Sequence, residues 1–465
     1  MKKSKNLLIL FLAILILLAF YLFIKNRPQE ESRSNKTSVK DTIITTLDSS
    51  KIRKIVLKSN NNILHFQKNE QLWTGNFTFP YKQDKIVELT EVFSNLRAEQ
   101  IIDENPVDLE QYGLNDPKMS IEVTVENDKN PKIMFLGDLT PTGNSYYFCL
   151  KENPTVYTIP KYNGAKFTQT PSDFRDYSLS KINIQEINYL KLSRSGNIAL
   201  EIKQNPITSK LTDYGIGIWE MTKPYQEPKL VATEKFQSII ESFVSIMNAE
   251  EFIEDNPTDL NRYGLENPQS EILIKDKQSH FHLLIGKPMD NEFVYCKKSD
   301  SNTIFTIKRS NLSIIATKPF DLIDKFVFIV NIEDVDRISV SGLGVNHTLN
   351  INRKRNPSPK SDSDKFLVSY EIDAKIVDEQ LFKTIYQSLI GLLLESECHG
   401  QTKSTVPDLK LSYKLNKGTK QQIDISFIPF NDDFYAVSQN GKSEFLISKN
   451  QVEVMVQELM SLVEE

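Results

Sequence analysis

The chain has 465 residues, of which 39% are hydrophobic and 25% are charged, and its formal net charge at pH 7 is −5. This length and composition suit a globular protein of about three units of ~140 residues each. The acidic balance argues against nucleic acid as a partner, because a nucleic-acid binder needs a basic patch. Three cysteines are too few for a closed disulfide framework.

The amino-terminal segment contains an unbroken apolar run, Leu7 to Ile24, preceded by Lys2, Lys3 and Lys5. A run of about 18 apolar residues reaches the length needed to cross a bilayer as a helix. The lysines hold the amino terminus in the cytoplasm. We therefore predict a cytoplasmic segment 1–6, a transmembrane helix 7–24 and an extracytoplasmic body, periplasmic or on the cell surface. No small-x-small cleavage site follows, which favours an uncleaved single-pass anchor in the cell membrane.

The next segment, 25–51, is polar and rich in Ser, Lys, Glu and Thr, so it is predicted to be a flexible tether. The first repeat unit is predicted over 52–183. Its main helix spans about 83–98, with apolar residues on one face. Four strands follow that helix, at 119–125, 132–136, 145–150 and 156–159, with Gly137-Asp138 as one of the turns between them.

A thirteen-residue motif, Asn105 to Pro117, returns as Asn256 to Pro268. The shared pattern is N-P-x-D-L-x-x-Y-G-L-x-x-P. We predict a helix of about two turns, capped at its start by Asn105, with Gly113 as a left-handed residue after its end.

The motif also carries one aspartate in each copy, Asp108 and Asp259. A carboxylate three residues after a helix cap can reach back to the free N–H of the cap. We therefore interpret both aspartates as capping groups rather than as ligands or catalytic acids.

The second unit, 184–334, repeats the order of the first, with a helix over about 233–249. The third, 335–465, is degenerate, because it lacks the Tyr-Gly-Leu motif. It retains a helix at about 377–396 and ends in a helix at about 449–463. An altered last copy is typical of a terminal repeat. The predicted fold class is α+β: a transmembrane helix and three related units, each a mainly antiparallel sheet with one main helix.

The signatures of common enzymes are absent from the sequence, including G-x-S-x-G, H-E-x-x-H, the phosphate-binding loop and C-x-x-C. We therefore predict no catalytic residue, no cofactor and no metal ligand, and a protein that is not an enzyme.

Two weak metal candidates stay open. His280 and His282 share one strand face, and acidic pairs precede each motif at Asp103-Glu104 and Glu254-Asp255. The favoured interpretation of both is solvated surface.

Repeated aromatic and sulfur side chains are interpreted as core. Tyr112, Tyr263, Trp73 and Trp219 could stack on a sugar, but each lies in a repeated structural frame. Cys149 and Cys296 are predicted to occupy equivalent buried positions on apolar strands.

These features resemble the domain of unknown function 4340 family. The resemblance rests on a tryptophan strand, a helix, and the Tyr112-Gly113-Leu114 and Tyr263-Gly264-Leu265 signatures followed by further strands. Residues 52–334 match the family in two successive copies, and the third unit matches it loosely. The resemblance implies a bacterial envelope protein anchored by one amino-terminal helix, often encoded beside ABC-type permeases and gliding-motility-like proteins. The family has no established catalytic residues to carry over.

The leading hypothesis is a non-catalytic accessory or scaffold subunit that binds a protein partner in the membrane, such as an ABC-type permease complex. The alternatives are a glycan- or polymer-binding envelope module and, from the enzyme class, a hydrolase with an acidic cleft between units.

Overall fold

The computed structural model describes residues 42–464 apart from 129, 205–217, 359–364, 418–420 and 440. The predicted transmembrane helix 7–24 and most of the predicted tether lie outside the described residues. Within the described part of the chain, no helix is both long and apolar enough to cross a membrane. The chain divides into two compact units, one that ends at Asp176 and one that begins at Tyr177.

The first unit is one module, which we define as residues 42–176. Its elements are β1 (Ile43–Thr45), β2 (Ile52–Lys58), β3 (Ile63–Asn69), β4 (Leu72–Gly75), α1 (Gln83–Ser94), β5 (Leu96–Arg97), β6 (Gln100–Asp103), β7 (Met119–Val125), β8 (Lys132–Leu139), β9 (Ser145–Leu150), β10 (Asn153–Pro160) and α2 (Lys161–Phe167).

The second unit holds two modules. The second module, residues 177–324, contains β11 (Tyr189–Arg194), β12 (Asn197–Gln204), β13 (Trp219–Lys223), β14 (Lys229–Leu230), α3 (Thr233–Ser242), β15 (Glu251–Asp255), β16 (Ser270–Lys275), β17 (His280–Pro288), β18 (Phe293–Lys298), β19 (Thr303–Lys308) and α4 (Pro319–Leu322).

The third module, residues 325–464, contains β20 (Val335–Gly342), β21 (Val345–Arg355), β22 (Phe366–Ile372), β23 (Lys375–Val377), α5 (Glu379–Ile390), β24 (Ser396–Glu397), β25 (Leu409–Leu415), β26 (Gln422–Pro429), β27 (Phe434–Gln439), β28 (Lys442–Ser448) and α6 (Lys449–Glu464).

The three large sheets have the same strand order. The first is β4-β3-β2-β7-β8-β9-β10-β6, the second is β14-β13-β12-β11-β16-β17-β18-β19-β15, and the third is β23-β22-β21-β20-β25-β26-β27-β28-β24. Neighbouring strands are antiparallel throughout these sheets. The prediction of mainly antiparallel sheet units is confirmed. The third module keeps the topology although its sequence lost the motif.

One face of each sheet is buried under the main helix of its module. In the first module, Ile86, Leu89 and Phe93 of α1 pack with strand residues such as Ile55 and Phe66, which are all 1% exposed or less. The second and third modules share one continuous hydrophobic core. Burying this apolar area is the main favourable term in their folding.

A short extended segment at the start of each module pairs with the chain just after the main helix. In the first module, β1 pairs with β5, and the N–H of Ala98 donates to the carbonyl oxygen of Thr42 at 2.9 Å. Leu47 joins the core. The prediction that the flexible tether extends to residue 51 is therefore wrong for 42–51. The polar average of the segment hid an apolar set, Ile43, Ile44 and Leu47.

The same pairing explains why all three main helices are shorter than predicted. The second module pairs Ser178 with Asn248, and the third pairs Phe326 with Leu393. These contacts require extended chain soon after the helix, so α1 ends at Ser94 and α5 at Ile390. In the second module, α3 ends at Ser242 and one 3-10 helix, Phe243–Ile246, precedes the paired Asn248. Apolar periodicity continues past both ends, because the extended residues also face the core.

Each of the first two modules closes with a proline-led turn. The turn Pro171–Phe174 is a 3-10 helix with a capping box between Thr170 and Asp173. Its counterpart is α4, with proline at its first position. Phe174 and Leu322 are 0% and 4% exposed. Both turns therefore carry an apolar side chain into the core of their own module.

Candidate functional site

The repeated motif forms a single turn of 3-10 helix, Glu110–Tyr112 in the first module and Asn261–Tyr263 in the second. Gly113 and Gly264 follow it with φ of 64° and 68°. The left-handed glycine was predicted and is confirmed. The predicted cap at Asn105 is wrong, because the helical turn begins five residues later and is too short to reach it.

The motif aspartates cap this turn, although not in the way predicted. Oδ1 of Asp108 accepts from the N–H of Glu110 at 2.8 Å, and Oδ1 of Asp259 accepts from the N–H of Asn261 at 2.9 Å. Each carboxylate therefore bonds forward to the residue two positions on, as in an Asx turn. A hydrolase built on these two aspartates has no support in this geometry.

The turn lies against a glycine of the neighbouring strand. A Cβ added to Gly137 would lie 2.2 Å from the carbonyl oxygen of Tyr112, and one added to Gly286 would lie 2.2 Å from that of Tyr263. Gly137 is inside β8, at a register shift against β9, so the predicted turn at this position is wrong. Only a residue without a side chain allows the motif backbone to come this close.

Each motif tyrosine pairs with the acidic segment before it. The hydroxyl of Tyr263 donates to Glu254, which raises the pKa of Tyr263. Burial raises the pKa of Tyr112, and the carboxylate of Asp103 raises it further. Asp255 accepts from the hydroxyl of Thr303 at 2.8 Å. Three members of the acidic pairs are therefore engaged within their own module.

The motif residues build a second, smaller core on the face of the sheet opposite the main helix. In the first module it contains Leu114, Cys149 and Val156, with the ring of Tyr112 5.0 Å from that of Tyr147. In the second it contains Tyr263, Leu265 and Ile304. The motif therefore packs on the outer face of the first and second sheets.

The third module shows what happens without the motif. Phe427 pairs with Leu409 as Leu136 pairs with Met119, so the next residue, Ile428, lies where Gly137 lies. The pairing of β26 with β27 continues through this position without a register shift. A side chain is tolerated there because no motif turn packs against it.

The two cysteines are buried, as predicted, but they are not equivalent. Phe148 pairs with Leu136 in the first module, and Cys296 pairs with the corresponding Ile285 in the second. Cys149 lies instead in the outer cluster, where burial raises its pKa to about 11. The loop before β18 is one residue shorter than the loop before β9, which shifts the alignment by one.

Three of the remaining sequence candidates, Trp73, Trp219 and His282, have structural partners. Trp73 and Trp219 are 3% and 7% exposed and lie in the main cores, where the ring of Trp219 packs 4.7 Å from that of Phe236. Nε2 of His282 lies 2.9 Å from Oε2 of Glu271. Among the described residues, no group of three or more His, Cys, Asp or Glu side chains is placed to hold a metal ion.

A polar cluster that the sequence did not indicate joins the second and third modules. Tyr225, 4% exposed, donates its hydroxyl to Oε1 of Glu397 at 2.7 Å, and its ring lies 4.9 Å from that of Phe445. The N–H of Gln226 donates to Oε1 of Glu444 at 2.8 Å. These residues belong to loops and edge strands far apart in sequence, so no local pattern marks them.

Beside this cluster is a cleft lined by Glu227, Lys229, Leu394 and Phe445, among others. It encloses about 10 Å³. This volume holds about one water molecule and no organic ligand. The junction is therefore a packed interface between modules.

Lys325 lies at the same junction, where its ammonium group donates to the carbonyl oxygen of Phe320. Burial, reinforced by the charge of Lys235, lowers the pKa of Lys325 from 10.5 to about 8. Between these values the unfolded chain holds a proton that the folded protein has released. The folded state therefore gains stability as pH rises from about 8 to about 10.5.

This linkage predicts a pH-dependent difference between the protein and Lys325→Met, which removes the charge. We expect the difference in unfolding free energy to shift in favour of the unsubstituted chain across that pH range. Urea unfolding followed by Trp219 fluorescence, in a Trp73→Phe background, would measure it. Lys318→Met, at an exposed lysine of the same unit, is the control. A Lys325→Met difference that is constant from pH 7.5 to 10 would contradict the linkage.

Taken together, the chain is an α+β repeat protein in which three modules of one topology follow each other, two of them sealed by a Tyr-Gly-Leu turn. The family profile described as Domain of unknown function (DUF4340) matches residues 73–255 and again 219–393. The chain belongs to this family. The two matches begin at Trp73 and Trp219, the equivalent residues of β4 and β13. Comparison with curated proteins gave no match, and comparison with solved structures gave none either.

Proposed function

We propose that this protein is a single-pass membrane protein whose extracytoplasmic modules form a non-catalytic scaffold for a protein partner in the cell envelope. The observation that carries the proposal is the apolar run Leu7 to Ile24 behind three lysines. The proposed partner is a membrane complex of the ABC-type permease class, in keeping with the association implied by the family.

The contacts that the repeated residues make within their own modules support a scaffold role. The motif aspartates cap their own turns, the motif tyrosines bond to nearby acids, and the tryptophans pack in the cores. Side chains that a glycan-binding surface or an acidic catalytic cleft would need are thus engaged in building the modules. Repeat arrays of this kind typically present extended surfaces to other proteins.

Replacing two residues in the apolar run tests the anchor. Leu15→Arg together with Leu18→Arg is expected to move the protein out of the membrane fraction. Each arginine near the centre of a spanning helix opposes insertion by about 2.5–3.5 kcal/mol. Leu15→Ile with Leu18→Ile is the matched control and should stay in the membrane. Equal membrane recovery of both variants would overturn the anchor.

The partner is tested by affinity purification from native membranes after chemical cross-linking, with identification of the proteins that co-elute. We expect components of one membrane complex to be enriched with the unsubstituted chain and with the isoleucine control, and to be lost with the arginine variant. Recovery of no protein above background would contradict the scaffold role.

A further inference from the structure

The closing turn of the first module ends in three residues that extend the edge of the sheet. Arg175 bridges Tyr81 in antiparallel fashion. The N–H of Lys82 donates to the carbonyl oxygen of Phe174 at 2.8 Å, and the N–H of Asp176 donates to that of Pro80 at 2.8 Å. The segment Phe174-Arg175-Asp176 has the form apolar-x-Asp. It thus bonds to the two outward backbone groups on either side of Tyr81, the C=O of Pro80 and the N–H of Lys82.

The second module repeats this arrangement with different side chains. Ile323 bridges Val231. The N–H of Ala232 donates to the carbonyl oxygen of Leu322 at 2.8 Å, and the N–H of Asp324 donates to that of Leu230 at 2.8 Å. The segment Leu322-Ile323-Asp324 is again apolar-x-Asp. The two contacts therefore share their backbone geometry, an apolar first residue and a final aspartate.

The third module has the same edge. Asp378 directly precedes α5 as Ala232 precedes α3, and the ring of Tyr370 packs 4.7 Å from that of Phe382 as Trp219 packs on Phe236. The residue before it, Val377, pairs with Tyr370 and therefore corresponds to Val231.

Two outward backbone groups of this third edge, the C=O of Ile376 and the N–H of Asp378, have no partner in the part of the chain that the structure describes. Ile376 directly precedes Val377, which pairs with Tyr370. In an antiparallel ladder, alternate residues point their N–H and C=O groups away from the partner strand, so those of Ile376 point outward. Ile376 is 77% exposed. Among the described residues, none bridges Val377 from the outer side, accepts from the N–H of Asp378 or donates to the C=O of Ile376. An open edge of this kind is a template for an added strand.

The sequence contains a third apolar-x-Asp segment, at the equivalent position before the first module. In the second module, Ser178 forms the bridge to the chain after the main helix, and Asp176 lies two residues before it. In the third module, Phe326 forms this bridge, and Asp324 lies two residues before it. The corresponding residue of the first module is Ile43, which pairs with Arg97. Two residues before it is Asp41, in the sequence Val39-Lys40-Asp41.

We propose that Val39-Lys40-Asp41 of a second copy of this chain adds to the open edge of the third module, with Lys40 opposite Val377. The first module of that copy then follows the third module of its neighbour, as the third module follows the second within one chain. The contact joins two different surfaces, so it extends head to tail. Backbone bonds supply the register, and the side chain of Val39 supplies the apolar contact.

Disulfide trapping tests the register. The bridged pairs of the first two modules are of the non-hydrogen-bonded type, in which opposite Cα atoms lie about 4.5 Å apart. This distance allows a disulfide. Full-length chains carrying Lys40→Cys and Val377→Cys on separate copies, both with Cys398→Ser, are mixed in detergent and oxidised. The native Cys149 and Cys296 are 2% and 0% exposed.

We expect the mixture to give at least tenfold more cross-linked dimer than Lys40→Cys mixed with Val368→Cys, an exposed position on the neighbouring strand. Equal yields from the two mixtures would overturn the proposal. So would a chain carrying both Lys40→Cys and Val377→Cys that closes on itself as a monomer.

A second experiment tests the backbone N–H of Asp41 as a hydrogen-bond donor. Asp41→Pro removes the N–H that would donate to the carbonyl oxygen of Ile376, whereas Asp41→Ala retains it. We expect the dimer yield of the Lys40→Cys and Val377→Cys mixture to fall at least threefold with Asp41→Pro, consistent with the loss of one hydrogen bond. The yield with Asp41→Ala should exceed that with Asp41→Pro by a similar factor. Equal yields from the proline and alanine variants would count against strand addition.

Discussion

Replacement of Gly286 by alanine is expected to lower the free energy of unfolding of the second module by about 3 kcal/mol, at the upper end of the usual cost of overpacking. The added Cβ would lie 2.2 Å from the carbonyl oxygen of Tyr263 and 2.9 Å from Cγ of Leu265. The motif turn cannot move away easily, because Tyr263 is bonded to Glu254 and Gly264 already lies against Lys287. Urea unfolding followed by Trp219 fluorescence in the Trp73→Phe background measures the loss.

Gly196→Ala is the matched control in the same module. Gly196 has a φ of +77° but no atom within 4 Å of an added Cβ, whereas the φ of Gly286 lies outside the left-handed region. The control therefore carries backbone strain without a clash, and we expect it to cost about 1 kcal/mol. If Gly286→Ala costs no more than the control, the close contact with Tyr263 is not a constraint on the fold.

Replacement of Phe174 by alanine is expected to destabilise the first module by about 3–5 kcal/mol, the usual range for deleting a buried aromatic ring. Phe174 is 0% exposed, and its ring lies 4.8 Å from that of Phe66. Its carbonyl oxygen also accepts from Lys82. The closing turn would then be part of the module core and not a linker.

Trp73 reports this unfolding in a Trp219→Phe background, because Trp73 is buried in the same cluster as Phe174. Ser172→Ala changes an exposed residue of the same turn and should be neutral within about 0.5 kcal/mol. Phe174→Leu keeps most of the apolar volume and should have an intermediate effect. Equal stability of Phe174→Ala and Ser172→Ala would show that the turn contributes nothing to the core.

Local patterns predicted the regular elements well. The strands at 119–125 and 145–150 have the predicted limits, and the last helix extends one residue beyond its predicted end. These elements follow from apolar periodicity and turn residues, which are properties of short stretches of chain. The left-handed Gly113 was predictable for the same reason, since its conformation depends on its immediate neighbours.

Predictions failed where a distant segment decides the conformation. The main helices end early because the chain after them pairs with residues more than fifty positions away, as Thr42 does with Ala98. Gly137 was placed in a turn because nothing local shows that Tyr112 packs against it. The cysteines were misaligned because a one-residue difference in loop length reverses the face of the sheet to which a side chain points.

By itself the sequence determined the repeat, the family, the α+β class and the apolar run that motivates a membrane anchor. Only the tertiary structure showed that the motif packs on the outer face of the first two sheets and that the third module keeps the topology without it. It also showed that, among the described residues, no segment bridges Val377 on the outer edge of the third sheet. The physical reason is that periodicity and capping act over a few residues, whereas an open edge depends on backbone groups that only the assembled sheet brings together.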